Sequence, residues 1–321
     1  MFSLNHSAAC WILSDGKVGL ENQCLGLAEA LGLNPVFKRI GLRSPWRLAF
    51  PIIPYLHPHA FRPGDSLQPP WPDIAIAGGR TGSAAMLMID RQSGGKTFTV
   101  QIQNPHVSPK KFGAMIVGVH DGVTGKNVQV IKGALNRITA TRLAEAMAQF
   151  PLLASLPRPR VAVLLGGPNR CYRFGIEEAG QLADRLKALS SQGFALMVTA
   201  SRRTGAANEA LIRQSLGPND YFWDGVGANP LFAMLAMADH ILVTSDSISM
   251  VSEAATTGKP VQVIHLPGGD AKFKSFHRLM EEGGYTRPFM GTIEVWNNSK
   301  LNDTEEAAIL VNSLFSARLS P

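Results

Sequence analysis

Short aliphatic and β-branched runs alternate along this chain with longer segments whose apolar positions recur every three or four residues. The first run, residues 8–13, is apolar throughout and stops at Ser14, Asp15 and Gly16. A short unbroken apolar run of this kind predicts a strand covered on both faces, as in a parallel sheet. A helix is expected over 21–31, with Cys24, Leu27, Ala28 and Leu31 on one side. The same unit then repeats. Strands are expected over 71–77, 97–103, 114–119 and 128–131, and helices over 83–89 and 137–150. Residues 153–160 (LASLPRPR) follow a helix and interleave two prolines with arginines, which reads as a linker. Beyond it the pattern restarts, with strands over 161–165, 194–199, 221–223, 241–243 and 261–266. Helices are expected over 176–190, 208–216, 229–237 and 250–257. A last helix, capped by Asp303, carries Ile309, Leu310, Leu314 and Phe315 as its apolar positions. The fold class is therefore α/β, with two Rossmann-like domains at 1–155 and 156–321.

Residues 31–64 break the rhythm. Pro35, Pro45, Pro51, Pro54, Pro58 and Pro63 interrupt the pattern, and no acid occurs between Glu29 and Asp65. Lys38, Arg39, Arg43, Arg47 and Arg62 lie among Trp46, Phe50, Ile52, Ile53, Tyr55 and Leu56. Basic residues mixed with aromatic ones suit the surface of an anionic membrane, so 36–63 is one candidate membrane contact. A long insertion packed on its own domain is the competing expectation. The net charge of +7 sharpens the first option. Residues 1–155 hold fifteen Lys/Arg against eight Asp/Glu, whereas 156–321 hold sixteen of each. An anionic partner is thus expected for the first half. Nucleic acid is disfavoured, because no recognised nucleic-acid module accompanies the charge.

The remaining composition mainly excludes. With 45% apolar and 17% charged residues the chain is not disordered. Cys10, Cys24 and Cys171 form no C-x-x-C pair, so neither a disulfide framework nor a zinc site is expected. No apolar run reaches the length of a membrane span, and no secretory leader is evident. The expected location is cytoplasmic, with peripheral contact to the inner face of a membrane. D-x-D, H-E-x-x-H and G-x-S-x-G are all absent, so no metal is expected and a hydrolase nucleophile is unsupported.

Candidate chemistry gathers where strands end and helices begin. Residues 241–266 read as strand, polar loop, helix, Gly-Lys-Pro turn and strand. The loop holds Ser245, Asp246, Ser247 and Ser249, followed by Met250 and Glu253 on the helix. A helix N-terminus at a strand's carboxyl end suits an anion, although plain capping serines and a solvated Glu253 would read the same way. Two more loops of the second half have phosphate-friendly composition: Gly166, Gly167 and Asn169, and Ser201, Arg202 and Arg203. Together the three suit a diphosphate ligand, with Glu253 accepting from ribose hydroxyls. In the first half, Gly79, Arg80 and Thr81, then Gln103, then His120 and Asp121 occupy corresponding strand ends. Asp15 and Glu21 are the candidate general bases, with turn shaping and helix capping as their alternative roles.

SDGKVGLENQCLGLAEALG, VQIQNP, HDGV with KGALNRIT, LLGGPN, TASRRTG and TSDSISMVSEAATTGKPV resemble the family named for mitochondrial fission, the "elongated mitochondria" proteins. The two Rossmann-like halves and S-x-S-M-x-S-E-A-x-x-x-G-K-P-V also resemble GT-B glycosyltransferases. That resemblance implies two domains facing across a cleft, with a C-terminal helix crossing back. It implies a metal-independent glycosyltransferase with no cofactor, a nucleotide-sugar donor, and a membrane-lipid or cell-envelope glycan acceptor. It implies Glu253 as the ribose ligand. A nucleotide-sugar 2-epimerase on the same fold, or a non-catalytic scaffold, are the alternatives. One departure is visible: the family's first loop usually carries His after its second glycine, where this chain has Leu20.

Overall fold

The computed structural model describes residues 8–44 and 58–319. The chain forms two compact units, Met1–Arg137 with Asn302–Pro321, and Ile138–Leu301. In the first, β1 (Cys10–Ser14), β2 (Pro35–Arg39), β3 (Ile74–Gly78), β4 (Phe98–Ile102), β5 (Ala114–Gly118) and β6 (Val128–Ile131) lie parallel in the order β2-β1-β3-β4-β5-β6. The register sets Ile12 beside Phe37 on one side and Ile76 on the other. Alternate residues serve opposite layers, as strand geometry requires. Cys10, Ile12, Ile74, Ile76, Val100 and Ile102 face Leu27 of the Val18–Ala30 helix and Leu31, which caps its C-terminus. Trp11, Leu13, Ala75 and Ala77 face Ala84, Ala85 and Met88 of the Gly79–Gln92 helix.

The second unit repeats the plan. β7 (Arg160–Leu165), β8 (Ala195–Ala200), β9 (Tyr221–Trp223), β10 (His240–Thr244), β11 (Val261–Ile264) and β12 (Arg287–Pro288) run parallel in the order β12-β11-β10-β7-β8-β9. Val161, Val163 and Leu165 pack on the Ile176–Ser191 helix, while Ala162 and Leu164 join Ala233, Met234, Val251 and Ala254. Strand order reverses between β1 and β3 in one sheet and between β7 and β10 in the other. Ligands of open α/β sheets bind beyond the carboxyl ends at such points.

The structure departs from the sequence reading in several places. Division falls at Arg137/Ile138 and Leu301/Asn302, not within 153–160. That stretch is fastened into the second unit: Leu153 is buried, and Arg158 and the Arg160 amide both bond to Asp239. The Ala140–Gln149 helix packs against Leu231–Met237, which carries it into the second unit too. Pro35–Arg39 is a strand, hidden from the pattern because it is a half-exposed edge, where a leading proline is tolerated. Gly79, Arg80, Thr81 and Gly82 form the first turn of a helix rather than a loop. A Cβ at Gly82 would come within 2.7 Å of the Ala77 side chain, so its glycine serves close helix–strand packing. Residues 267–302, left unassigned by pattern, hold the Ala271–Glu282 helix, with Asp270 accepting from the Phe273 amide at 3.0 Å.

The C-terminal helix, Asp303–Leu319, belongs to the first unit. Its inward residues are Ala307, Ala308, Val311 and Phe315, while Ile309 is 49% exposed. The buried Asp303 carboxylate accepts from the Gly133 amide at 2.6 Å, and burial raises its pKa. Asp303→Ala should cost about 1–2 kcal/mol by stranding that amide. The expected readout is faster amide exchange confined to 303–319; unchanged exchange there would show that apolar packing alone holds the helix.

Redrawing the boundary also redistributes charge. The first unit holds fifteen Lys/Arg against ten Asp/Glu, and the second sixteen against fourteen. The excess is +5 and +2 rather than +7 and zero. Much of the 36–63 membrane candidate, including Trp46, Arg47, Phe50, Ile52, Ile53, Tyr55 and Leu56, lies outside the described residues. Of its described flanks, Ile40, Leu42, Ala60 and Phe61 are buried in the first unit's core, while Val36, Arg39, Arg43 and Arg62 are exposed. Among the described residues no helix is long and apolar enough to cross a membrane.

Candidate functional site

Three strand-end loops of the second unit are fastened to one another around Asp246. Its side chain is fully shielded from solvent. Thr244 Oγ1 donates to Oδ1 at 2.7 Å, the Gly167 amide to Oδ2 at 3.0 Å, and Arg203 Nη2 to Oδ2 at 2.7 Å. Thr244 Oγ1 in turn accepts from the Gly166 amide at 2.7 Å. Arg203 Nη1 donates to Gly167 O at 2.9 Å, Asn169 Nδ2 to Asp246 O at 3.2 Å, and Thr204 Oγ1 to Gly166 O. The loops after β7, β8 and β10 thus form one polar assembly at the carboxyl end of the sheet. Both glycines are required by this approach. A Cβ at Gly166 would meet Asp246 Oδ1 at 2.1 Å, and one at Gly167 would meet the Arg203 carbonyl carbon at 2.2 Å.

This arrangement divides the expected donor residues into two groups. Gly166, Gly167, Asn169, Arg203 and Asp246 spend their polar groups within the protein. Ser245 does likewise: its Oγ accepts from the Leu266 amide at 3.0 Å, and its carbonyl lies 2.8 Å from His277 Nε2. Burial lowers the pKa of His277 and favours the neutral ring. Ser247 caps the Ile248–Thr256 helix through the Met250 amide at 3.3 Å. Ser201 Oγ accepts from the Arg203 amide at 3.2 Å, and Arg202, Ser249 and Glu253 remain, with no side-chain hydrogen bond or ion pair among the described residues. Glu253 is half-buried on the same helix, and burial pushes its carboxyl up to about 7.

Beside this assembly lies a cavity of about 550 Å³, lined by Thr199, Ser201, Arg202, Trp223, Asp224 and Met250 among others. That Trp223 to Gly225 with Asn229 form part of its wall is not legible in the apolar pattern of the sequence. After β9 the chain turns through Gly225 and Gly227, at φ 84° and 79°, a left-handed conformation that glycine adopts freely. Asp224 Oδ1 accepts from the Val226 amide at 2.9 Å, and Asn229 Oδ1 from the Leu231 amide at 2.9 Å. The signal was present as turn chemistry, D-G-x-G-x-N-P, but turn residues alone do not announce a cavity.

In the first unit, Asp15, Lys17, Arg39, Arg62, Arg80 and Thr81 line a second cavity. Asp15 is paired with Lys17 at 2.6 Å. Glu21 bonds to both Arg39 and Ser14, so it is already neutralised. Leu20 packs over Gly78 and Gly79, where any Cβ on Gly78 would collide with it. Gln103 and His106 both hold positive φ, 66° and 61°, in the turn after β4. Asp121 closes the turn after β5 by accepting from the Gly118 amide at 3.0 Å, with His120 3.8 Å away. Thus Arg80 and Thr81 join Asp15 at one cavity, while Gln103, His120 and Asp121 do not line it. Among the described residues no group of His, Cys, Asp or Glu is placed to hold a metal.

The profile of the mitochondrial fission ELM1 family matches residues 18–315. The mitochondrial fission protein ELM1 of Arabidopsis thaliana is 32% identical over 276 residues, covering 77% of this chain and 65% of that protein. The chain therefore spans just under two thirds of that relative's length. Protein RP120 of Rickettsia prowazekii (strain Madrid E) is 26% identical over 349 residues, covering 94% of this chain and 97% of that protein. Among solved structures, the UDP-GlcNAc 2-epimerase from Methanocaldococcus jannaschii is similar with a TM-score of 0.53 at 12% identity, covering 94% of this chain and 98% of that one. Arabidopsis thaliana UGT89C1 is similar with a TM-score of 0.50 at 10% identity, covering 97% and 94%. At such identities the likeness is one of fold: two parallel-sheet α/β units of the GT-B class.

Proposed function

The chain belongs to the mitochondrial fission ELM1 family, and on that premise we propose that its second unit binds a nucleotide-sugar and that the protein is a metal-independent glycosyltransferase. One observation carries the reading: the cavity at the strand ends of β7 and β8 is edged by Arg202, on the loop that Asp246 holds through Arg203, and by Met250, on the helix that follows Asp246. In this reading the Arg202 guanidinium meets the diphosphate as a planar fork. Ser249 adds a hydroxyl. Glu253, ionised, accepts from the two ribose hydroxyls. A fixed guanidinium and preorganised dipoles stabilise a departing diphosphate without a metal. Asp15 is the proposed general base, and Glu21, held by Arg39 and Ser14, shapes its loop. The acceptor is proposed to be a membrane-associated lipid or envelope glycan.

Uridine diphosphate is the first probe to try, because the epimerase of similar fold is named for a UDP-sugar. Calorimetric titration should show saturable binding, and Arg202→Gln should weaken it about tenfold, the loss of one charge-assisted contact of roughly 1.5 kcal/mol. Absence of heat with every nucleoside diphosphate tried, on folded protein, would defeat the proposal. Epimerised sugar nucleotide formed from donor alone would select the epimerase reading instead.

A further inference from the structure

We propose that the first unit carries its own phosphate-binding site, formed by Arg62 and Arg80 in the cavity beyond β1, β2 and β3. The cavity measures about 880 Å³ and is lined by Asp15, Lys17, Arg39, Arg62, Arg80 and Thr81 among others. Four of these six side chains are cationic and one is acidic. Pairing inside the wall leaves a defined surplus. Lys17 is matched by Asp15, and Arg39 by Glu21. The other nearby acid, Asp65, turns its carboxylate onto the Arg39 amide at 2.6 Å and does not line the cavity. Arg62 and Arg80 are left, both exposed and with no hydrogen bond or ion pair to the guanidinium among the described residues.

Two unmatched guanidinium groups call for a dianion. A phosphate ester or diphosphate supplies that charge, where a single carboxylate supplies half of it, and guanidinium forks match phosphate oxygens in geometry. Thr81 adds a hydroxyl beside Arg80. The framework around them is fixed. The Arg62 amide donates to Gly41 O at 2.7 Å, Leu42 bridges Phe61, and the Asp65 amide donates to Arg39 O at 3.2 Å. A Cβ on Gly64 would meet Arg39 O at 2.6 Å, so this clip closes only with glycine there. The position is also the one where the order of this sheet reverses, between β1 and β3. The site stands on the first unit alone and does not depend on a nucleotide in the second.

The phosphate has two possible sources, a soluble ester or a lipid headgroup. The test uses the full chain with inorganic pyrophosphate by calorimetry, and flotation with phosphatidylcholine vesicles with and without phosphatidic acid. Arg62→Gln with Arg80→Gln should weaken pyrophosphate binding at least about tenfold while leaving the UDP titration unchanged. Flotation with phosphatidic acid that the double variant loses assigns a headgroup; pyrophosphate binding without flotation assigns a soluble ester. Pyrophosphate and vesicle binding both absent, or both unchanged in the double variant, overturns the site. A second measurement needs no variant: pyrophosphate should slow phenylglyoxal modification of Arg62 and Arg80 in the wild-type protein, read by peptide mass. Equal modification rates with and without pyrophosphate would also overturn it. Loss of UDP binding with an intact pyrophosphate response would refute the nucleotide proposal and leave this one standing.

Discussion

Asp246→Ala is expected to loosen the second unit by about 3 kcal/mol, seen as amide exchange in β7 and β10 faster by roughly a hundredfold. The size follows from what one side chain does. Asp246 accepts from Thr244 Oγ1, the Gly167 amide and Arg203 Nη2, and no part of its side chain reaches solvent. Removing it strands a buried amide and breaks an ion pair that ties the β8 loop to the β10 loop. The arginine tempers the cost: Arg203 is 42% exposed on its side chain and regains water, which keeps the figure at the lower end for a broken buried pair. Asp246→Asn separates charge from geometry. Its amide oxygen still accepts from Gly167 or Thr244, so about half the loss should be restored. UDP binding should fall in both variants, because Arg202 hangs from the loop that the ion pair anchors. Exchange within threefold of wild type in Asp246→Ala would show that the three loops hold one another without this carboxylate.

That assembly marks the limit of what the chain discloses before folding. Strands β1, β3, β7 and β10 are legible because each is an unbroken apolar run, buried on both faces. The polar loops after β1, β7 and β10 are legible for the same reason: composition changes abruptly where burial ends. Pro35–Arg39 is not, since an edge strand with exposed Val36 and Arg39 lacks the core's pattern. Nor does sequence reveal that Asp246 and Arg203, 43 positions apart, would neutralise each other. Read singly, each looks like a free charge at a strand end. Arg62 shows the converse. It appears as one basic residue in a proline-broken segment, and only pairing of Leu42 with Phe61 brings it beside Arg39 and Arg80. The long-range partner decides whether a charge serves structure or remains available to a ligand, and that partner is a product of topology. Leu20 makes the same point without charge, since its fit against Gly78 depends on β3 lying beside β1.

Glu253→Gln should stabilise the second unit and weaken its nucleotide binding at the same time. Burial holds the Glu253 carboxyl at about 7 against an ordinary 4.5, with no cation or hydrogen-bond donor supporting the ionised form among the described residues. A raised acid stabilises the folded state relative to its ionised form, so the sign is fixed. Its contribution is fully present below pH 4.5, is lost between 4.5 and 7 as the unfolded chain ionises first, and changes little above 7. The loss amounts to roughly 2–3 kcal/mol at pH 8, nearer the lower figure because the residue keeps some solvent contact. Glutamine carries no such penalty. The variant should therefore gain about 2 kcal/mol over wild type at pH 8, and the two should converge toward pH 5, as measured by urea unfolding. Binding runs in the opposite direction. A ribose presents two donors, which an ionised carboxylate accepts together, so wild-type affinity for UDP should rise from pH 6 to pH 8. Glutamine offers one acceptor oxygen, and its affinity should be lower and flat across that range. A variant that binds UDP as tightly as wild type at pH 8 would remove Glu253 from the ribose. A variant no more stable than wild type at pH 8 would show that the carboxylate is already solvated. If both expectations hold, the protein maintains a poorly solvated carboxylate that destabilises its own fold, a cost explained by a ligand whose hydroxyl groups satisfy it.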